Sequence, residues 1–447
     1  MPPEVFASEK EIADASYMIA TPVAVSRRTG AALFLLLAAA FLILNRQAYQ
    51  GYFQDDEINS MAWTRWGPAL AFLKGALTPV FAGSFRAVGF FYFRLTERFF
   101  GLNFPKYVAA IHAIHLLNVC MLWLLMRRLG APALAAAVGT FFFTLHMAMF
   151  DVFWKPMFVF DLLCGTFTLL STWLWARGNW VLSFIAFWLA YRSKELAVML
   201  PLVLVGYELW FGSRRWKALA PFLAASFSFA LQALAISPVT AGPYKLRLSR
   251  HSLADTASFY AGRVFLAPYL GFLLPVAAAI ERNRRTWFGL AMMGLYLVPL
   301  LCLPGRLFSA YCYVPFTGLA VAIAGLAERA KPWAILVFLL AWLPLDFHSL
   351  NVQRDATLAQ DRDIREWMNT VRKFLNDGPS VTSFVYDGMP AGFYPFGAEA
   401  TLRYFLVRLD VPLAPVSSPE AVDFGQQGGL AILEWNAADH RLTIETR

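Results

Sequence analysis

The chain has 447 residues, of which 59% are hydrophobic, 16% aromatic and only 15% charged. An ordinary soluble domain carries about 25% charged residues, and a soluble fold of this length has too little buried volume for so many apolar side chains. The composition excludes a soluble enzyme, a disordered protein, a fibre and a disulfide scaffold, and leaves an integral membrane protein with many spans. In such a protein, the net charge of +9 is informative through the distribution of Lys and Arg between the two membrane faces.

Apolar segments of membrane-crossing length recur along most of the chain. Crossing about 30 Å of hydrocarbon takes roughly 20 residues, or fewer where the segment ends are interfacial. Eleven candidates lie at 29–46, 106–126, 131–150, 157–176, 179–192, 195–212, 218–238, 262–280, 286–303, 311–327 and 332–348. The polar stretch before the first candidate is unlike a signal peptide, so the first segment is predicted to be a retained helix.

Small basic clusters occupy every second connection between these segments. They are Arg27 with Arg28, Arg127 with Arg128, Arg177, Arg214 with Arg215 and Lys217, Arg282 with Arg284 and Arg285, and Arg329 with Lys331. The positive-inside rule places these clusters in the cytoplasm. The N-terminus is therefore predicted to be cytoplasmic and the C-terminus to lie outside, as an odd number of spans requires.

Three parts follow from this topology. Residues 1–28 form a cytoplasmic segment, residues 29–348 a transmembrane domain with a long first outer loop at 47–105, and residues 349–447 a soluble domain outside the membrane. The last part has a charged helical pattern at 361–367 and strand-like runs at 381–386 and 431–435. The predicted fold class is an all-α polytopic membrane protein carrying a small α/β C-terminal domain.

Several charged residues lie on the predicted outer face, where the positive-inside rule does not explain them. Asp55, Asp56 and Glu57 follow the first span as three adjacent acids. On composition alone they form a hydrated interfacial cluster; the functional alternative is a carboxylate that takes a proton from an acceptor hydroxyl. Asp151 and Lys155 are four residues apart and either pair on a helical turn or face a substrate.

Cations on the same face suggest a site for an anion. Lys194 and Glu195 join two spans and are either a pair that snorkels to the interface or part of a phosphate site. Arg306 carries the same two alternatives. Together with Arg86 and Lys155, these cations suit a lipid-linked phosphate at the edge of the bilayer.

The histidines and cysteines give weaker signals. His112 and His115 lie one helical turn apart, which favours packing or hydrogen bonding over a shared metal because no third ligand is placed. Cys302 and Cys312 flank one short loop, and two thiols are favoured over a disulfide. No metal site is predicted.

Four stretches resemble the GT-C glycosyltransferase superfamily, closest to bacterial relatives of the protein O-mannosyltransferases and of the tetratricopeptide-containing O-mannosyltransferases. The similarity covers residues 45–210 well and the rest by topology. The stretches are Asp55-Asp56; Phe100-Gly101-Leu102-Asn103 with Tyr107 and His115-Leu116-Leu117-Asn118; Phe142 to His146 with Asp151, Trp154 and Asp161-Leu162-Leu163; and Ser193-Lys194-Glu195 with Pro201. Arg306 and Tyr311 fit a later Arg/Tyr-rich loop of the family loosely.

The resemblance implies an inverting glycosyltransferase of the bacterial inner (plasma) membrane. It would move a hexose or pentose from a polyprenyl-phosphate carrier to an acceptor hydroxyl of a protein, lipid or glycan on the extracytoplasmic face, with no nucleic acid involved. Asp55 or Asp56, with a slight preference for Asp55, would activate the acceptor. Asp151 would orient the sugar or acceptor, and a set of further residues would hold the lipid phosphate: Arg86, Lys155, Lys194, Glu195 and Arg306.

Two further expectations accompany this reading. A lipid monophosphate held by these cations requires no cofactor, although a pyrophosphate-linked donor would make a divalent cation more plausible, with Asp56 and Asp151 as ligands. The alternative function is a transporter or flippase of a lipid-linked glycan, which would use the same basic cavity without a base. Alternating access favours paired repeats and broken helices, and the sequence has neither pattern.

Overall fold

The fold was analysed in a computed structural model that describes residues 27–78, 86–232, 242–378 and 381–447. Most of the predicted cytoplasmic segment 1–28 lies outside these residues. The described part of the chain is helical up to a small sheet near the C-terminus. Its helices are α1 Arg27–Leu44, α2 Asp55–Trp66, α3 Ala69–Leu77, α4 Ala87–Phe100, α5 Phe104–Arg128, α6 Ala133–Leu145, α7 Phe150–Trp154, α8 Val159–Ala176, α9 Trp180–Ser193, α10 Leu200–Trp210, α11 Trp216–Leu231, α12 Arg250–Val264, α13 Leu273–Glu281, α14 Arg284–Leu301, α15 Tyr313–Ala327, α16 Pro332–Asn376, α17 Pro395–Leu406 and α18 Pro419–Gln427.

Apolar helices coincide with the segments predicted to cross the membrane. Each of the eleven segments overlaps a helix. Within the described ranges, five stretches are both long and apolar enough to span: Phe104–Arg128, Ala133–Trp154, Pro156–Ala176, Ser309–Ala327 and Pro332–Asn376. Shorter apolar helices lie at Arg28–Leu44, Trp216–Leu231 and Leu270–Glu281. A multi-pass membrane protein is therefore supported, and the number of eleven spans stays a prediction.

Glycines allow the central helices to approach closely. A Cβ atom added to Gly289 of α14 would lie 2.3 Å from the backbone nitrogen of Ala322 in α15. One added to Gly139 of α6 would lie 2.4 Å from the carbonyl oxygen of Ala320. In a lipid bilayer the hydrophobic effect does not drive helices together. Small residues at such contacts favour helix association instead, because they let two backbones pack directly. These contacts place α15 at the centre of the bundle.

Helix α16 joins the membrane domain to the C-terminal part without a break. It is 45 residues long and passes through residue 348, where the sequence predicts the transmembrane domain to end. At 1.5 Å per residue it is about twice as long as the hydrocarbon is thick. Its second half therefore projects beyond the bilayer and carries charged residues.

The C-terminal part contains a four-stranded mixed sheet, as the strand-like runs predicted. Its strands are β1 Ser383–Asp387, β2 Leu413–Pro415, β3 Leu430–Asn436 and β4 Arg441–Thr446, in the order β2-β1-β3-β4. β1 pairs in parallel with β2 and β3, and β3 pairs antiparallel with β4. The sheet, α17 and α18 form a small α/β unit on α16.

Candidate active site

Helix α2 begins with the three adjacent acids, and its N-terminus is stabilised by a capping box. The Glu57 carboxylate accepts a hydrogen bond from the backbone nitrogen of Gln54 at 3.1 Å. Its other oxygen accepts one from the backbone nitrogen of Met157, also at 3.1 Å. Because Glu57 is only 1% exposed, burial raises its pKa to about 7. Glu57 therefore anchors α2 to the connection before α8 and does not face an open site.

Asp55 faces the C-terminal part of the chain. Its carboxylate accepts a hydrogen bond from the backbone nitrogen of Tyr394 at 3.0 Å, directly before α17. Gly397 packs so closely that a Cβ atom there would lie 2.1 Å from Asp55 Oδ1. Burial raises the pKa of Asp55 to about 7, although the Tyr394 hydrogen bond opposes that shift. Asp55 thus sits at the N-terminus of α17, where a helix favours negative charge.

Asp56 is the exposed acid of the three. The cations that act most strongly on its charge are Arg306 and Arg86. Partial desolvation raises the pKa of Asp56, and the two guanidinium groups oppose that shift. Asp56 is consequently the carboxylate that opens towards the predicted phosphate-binding residues.

Arg86 and Glu195 form a bidentate ion pair. Arg86 Nε and Nη2 donate to the two Glu195 carboxylate oxygens at 2.9 and 3.1 Å. The negative charge of Glu195 raises the pKa of Arg86. This fork fixes the position of Arg86, because planar guanidinium–carboxylate pairing is geometrically specific.

Lys194 is paired with a buried acid from the neighbouring helix. Its Nζ donates to Asp161 Oδ1 at 2.5 Å, and the two side chains are only 8% and 2% exposed. The same Nζ lies 4.1 Å from the ring centroid of Tyr311. The Tyr311 hydroxyl accepts a hydrogen bond from Arg306 Nη2 at 2.9 Å. Tyr311 therefore contacts both cations, Lys194 through its ring and Arg306 through its hydroxyl.

Arg306 is held mainly by aromatic rings. Its guanidinium carbon lies 4.5 Å from the ring centroids of both Tyr244 and Phe308. Its Nε has no hydrogen-bond partner among the described residues, and within the same part of the chain it has no carboxylate partner. Arg306 is thus a stacked guanidinium with hydrogen-bonding capacity left for an anion.

Asp151 and Lys155 form a pair of their own. Lys155 Nζ lies 3.0 Å from Asp151 Oδ1, as spacing by four residues on a turn allows. The other acids near Lys155 are Glu57 and Asp361, both buried. The structure therefore brings Asp56, Arg86, Lys194, Glu195 and Arg306 into one cluster and places Asp151 and Lys155 on the Glu57 side of α2.

Sequence reasoning missed the residues of the C-terminal part that contact α2. Asp361 accepts hydrogen bonds from the backbone nitrogen of Tyr52 at 2.9 Å and from Gln54 Nε2 at 2.8 Å. More than 300 residues separate these partners, so no spacing rule links them. A usable signal was the position of Asp361, since it lies three residues before Ile364 and six before Trp367 on the apolar face of α16.

The two histidines of α5 have structural roles. His112 lies 3.1 Å from the Tyr49 hydroxyl and 3.0 Å from the Phe153 carbonyl oxygen. His115 lies 2.9 Å from the Tyr313 hydroxyl. In the described ranges, no group of three His, Cys, Asp or Glu side chains is arranged to hold a metal ion, and all four cysteines are free thiols.

The fold is similar to that of ArnT from Cupriavidus metallidurans, in a crystal structure bound to undecaprenyl phosphate. The TM-score is 0.52 at 14% sequence identity, over 92% of this chain and 94% of that chain. No family model and no curated protein matches the sequence. At this identity the similarity shows the fold alone, and that fold is the one predicted by the resemblance of the motifs to the GT-C superfamily.

Proposed function

We propose that the protein is a glycosyltransferase that moves a sugar from a polyprenyl-phosphate-linked donor to an acceptor hydroxyl. The observation that carries the proposal is Asp56, an open carboxylate beside Arg86 and Arg306. A base next to cations is the combination that acceptor activation and phosphate departure require together. The structural similarity to ArnT, which was crystallised with undecaprenyl phosphate, supports a lipid-phosphate donor.

Arg306 is proposed as the main contact of the donor phosphate. Arg86 and Lys194 form ion pairs with Glu195 and Asp161, whereas Arg306 contacts the Tyr311 hydroxyl and aromatic rings and has no ion pair with a described carboxylate. Its fork-shaped guanidinium can donate two hydrogen bonds to phosphate oxygens. Arg86 and Lys194 contribute by holding positive potential at fixed positions.

Asp56 is proposed as the base in a single inverting displacement. The acceptor oxygen attacks the anomeric carbon while its proton passes to Asp56. The bond from the anomeric carbon to the phosphate oxygen breaks, and polyprenyl phosphate leaves with the bonding electrons. The cations stabilise the charge that develops on this leaving group. Asp55 is proposed to hold α17 against the site, since its carboxylate is occupied by the Tyr394 backbone.

The site is proposed to face the extracytoplasmic side. Support comes from the basic clusters, which place the connection between the first two predicted spans opposite the cytoplasmic Lys and Arg residues. A polyprenyl carrier reaches this side with its phosphate at the interface and its tail in the bilayer.

Transfer by the purified protein in proteoliposomes tests the function. Labelled polyprenyl-phosphate hexoses and pentoses are supplied with a cell-envelope extract as acceptor source. We expect labelled product with the wild type, a loss of about 100-fold or more with Asp56→Asn, and less than about tenfold with Asp55→Asn. Asp423→Asn, at an exposed position on α18, is the matched control and retains full activity.

Two results would contradict parts of the proposal. An inactive Asp55→Asn beside an active Asp56→Asn would transfer the role of base to Asp55. Lipid-linked sugar that crosses the bilayer equally in all four proteins, with no labelled product, would identify a flippase and refute the enzyme.

A further inference from the structure

A second basic cavity is distinct from the cluster around Asp56, because none of the residues of that cluster lines it. It is an open cavity of about 1400 Å³ between the second half of α16, the end of α17 and the outer loop around Tyr52. Four arginines line it: Arg65, Arg362, Arg365 and Arg372. Asp355 is the acid among its lining residues, and Arg354 already bonds that carboxylate at 2.9 Å. Arg65 is also paired with Glu97 at 3.8 Å, which leaves an excess of positive charge on the other lining arginines.

Two of the arginines serve the fold and shape the cavity wall. Arg65 donates to the Tyr404 carbonyl oxygen at 3.1 Å. Arg365 donates to the carbonyl oxygens of Gln50 and Gly51 at 2.7 and 2.8 Å. These bonds connect α2, α16 and α17 around the cavity. Because Arg65 and Arg365 make these structural hydrogen bonds, replacing either of them would disturb the fold as well as ligand binding.

The other two arginines have no such roles. Arg362 and Arg372 are exposed, and neither has a hydrogen bond or ion pair from its side chain to another described residue. Arg372 is close enough to Tyr52 to oppose the rise in the pKa of that hydroxyl, a rise caused by burial. Keeping unpaired guanidinium groups beside other cations is costly in charge repulsion. An anionic ligand would remove that repulsion.

Aromatic groups give the cavity a second binding chemistry. The guanidinium carbons of Arg365 and Arg65 lie 5.0 and 4.9 Å from the ring centroids of Tyr52 and Tyr404. Tyrosine rings offer both an apolar face and a hydroxyl, which suits the mixed surface of a sugar ring. Guanidinium forks select planar carboxylate or tetrahedral phosphate groups. The lining therefore suits a saccharide that bears acidic groups.

The cavity connects to the candidate active site through two helices. Arg65 lies near the end of α2, ten residues and about 15 Å along the helix from Asp55, whereas the lining residue Tyr52 lies three residues before Asp55. Tyr404 is on α17, whose N-terminus contacts Asp55. The cavity therefore runs from the end of α2 to the segment just before the acids.

We infer that this cavity binds the acceptor, an extended saccharide carrying carboxylate or phosphate groups. The identification of the ligand as acceptor rests on the proposed function, whereas the binding of an acidic saccharide does not. The class of ligand follows from unpaired guanidinium groups beside tyrosines. Its extended shape follows from the reach of the cavity, from Arg65 near the end of α2 to Tyr52 just before its start.

Binding to the full-length protein in phosphatidylcholine nanodiscs tests the inference without any donor. Trigalacturonate and glucose 1,6-bisphosphate serve as acidic probes, and maltotriose and glucose as their neutral counterparts. We expect at least one acidic probe to bind about tenfold or more tightly than its counterpart, and more weakly as salt rises. Arg362→Gln combined with Arg372→Gln weakens that binding by about tenfold.

Lys373→Gln is the matched control, because Lys373 is an exposed cation next to Arg372 that does not line the cavity. It leaves probe binding within about twofold. Equal binding of acidic and neutral probes, no binding of either acidic probe, or an unaffected double variant would each overturn the inference. Loss of acidic-probe binding when phosphatidylglycerol nanodiscs are added as competitor would also overturn the inference, because it would identify a lipid headgroup as the ligand.

Failure of this inference is separable from failure of the proposed function. Transfer in proteoliposomes that depends on Asp56, with no acidic probe bound, leaves the enzyme intact and refutes the cavity. Probe binding that depends on Arg362 and Arg372, with no transfer by the wild type, supports an acidic-saccharide site and refutes the enzyme.

Discussion

Asp55 is a buried carboxylate whose pKa of about 7 makes the stability of the protein depend on pH. Because this pKa is raised from 3.8, the folded state binds the proton more tightly than the unfolded state. The resulting stabilisation is full below about pH 4 and is lost as pH rises towards about 7. Asp55→Asn keeps an acceptor for the Tyr394 nitrogen and removes the titration.

We therefore expect Asp55→Asn to be more thermostable than the wild type at about pH 8 and similar to it below about pH 4. Thermal unfolding in detergent, monitored over this range, checks the difference. Asp423→Asn is the control for a generic effect of removing one negative charge. A uniform shift at every pH would show that Asp55 titrates normally in the folded protein.

The Lys194–Asp161 pair gives a second residue-scale prediction. Both side chains are almost fully buried, so removing one leaves an uncompensated charge. We expect Lys194→Met to destabilise the protein by roughly 3 to 5 kcal/mol. Adding Asp161→Leu removes the second charge and recovers most of that loss. Thermal unfolding of the single and double variants measures both effects, and a double variant as unstable as the single one would refute the pairing argument.

At the level of residues, the sequence identified the charged groups but not their partners. Lys194 and Glu195 were predicted to pair with each other or to bind an anion. Instead, Lys194 pairs with Asp161 and Glu195 with Arg86, partners 33 and 109 residues away in the chain. Such pairs depend on how helices pack, and local charge spacing holds no information about that packing.

The contact between α2 and α17 is the element on which the Asp55 environment depends. Gly397 allows the first turn of α17 to lie against Asp55, and a Cβ atom there would come within 2.1 Å of Asp55 Oδ1. We expect Gly397→Ala to destabilise the protein by about 1–3 kcal/mol, because overpacking forces the two helices apart.

Gly425→Ala on α18 is the matched control. Its added Cβ atom meets its nearest atom at 3.9 Å, an ordinary contact. Alanine favours a helix over glycine by roughly 0.5–1 kcal/mol, so this variant is neutral or slightly stabilised. Thermal unfolding compares the two, and a Gly397→Ala variant as stable as Gly425→Ala would show that contact with Asp55 does not limit the side chain at position 397.

Elements were predicted best where their pattern is long. Apolar runs predicted the helices of the bundle, and alternation predicted β1 and β3. The loop predicted at 47–105 instead contains α2, α3 and α4, which are short and mixed in composition. Their helical form depends on capping and on packing against other segments, so periodicity alone does not reveal them.

At the scale of the whole molecule, the C-terminal part is attached to the start of α2 from two sides. Asp361 bonds the segment just before α2, and the Tyr394 backbone bonds Asp55 at its first residue. The chain thus positions its candidate base with groups from opposite ends of the sequence. The C-terminal part must then lie on the same membrane face as Asp56, which makes topology a test of the active-site proposal.

Cysteine labelling of intact cells measures this topology. With Cys120 and Cys302 replaced by serine, Asp423→Cys on α18 and Lys217→Cys in the first turn of α11 report on the C-terminal part and on a predicted cytoplasmic connection; both positions are exposed. The positive-inside rule predicts that a membrane-impermeant maleimide labels position 423 from outside and position 217 only after lysis. Labelling of 423 only after lysis would place Asp56 and Arg306 in the cytoplasm, and the donor would then have to be used on the face where it is made. Labelling of both positions from outside would mean that an even number of spans separates position 217 from the C-terminal part. That result would refute the count of eleven spans and leave the outer position of the site in place.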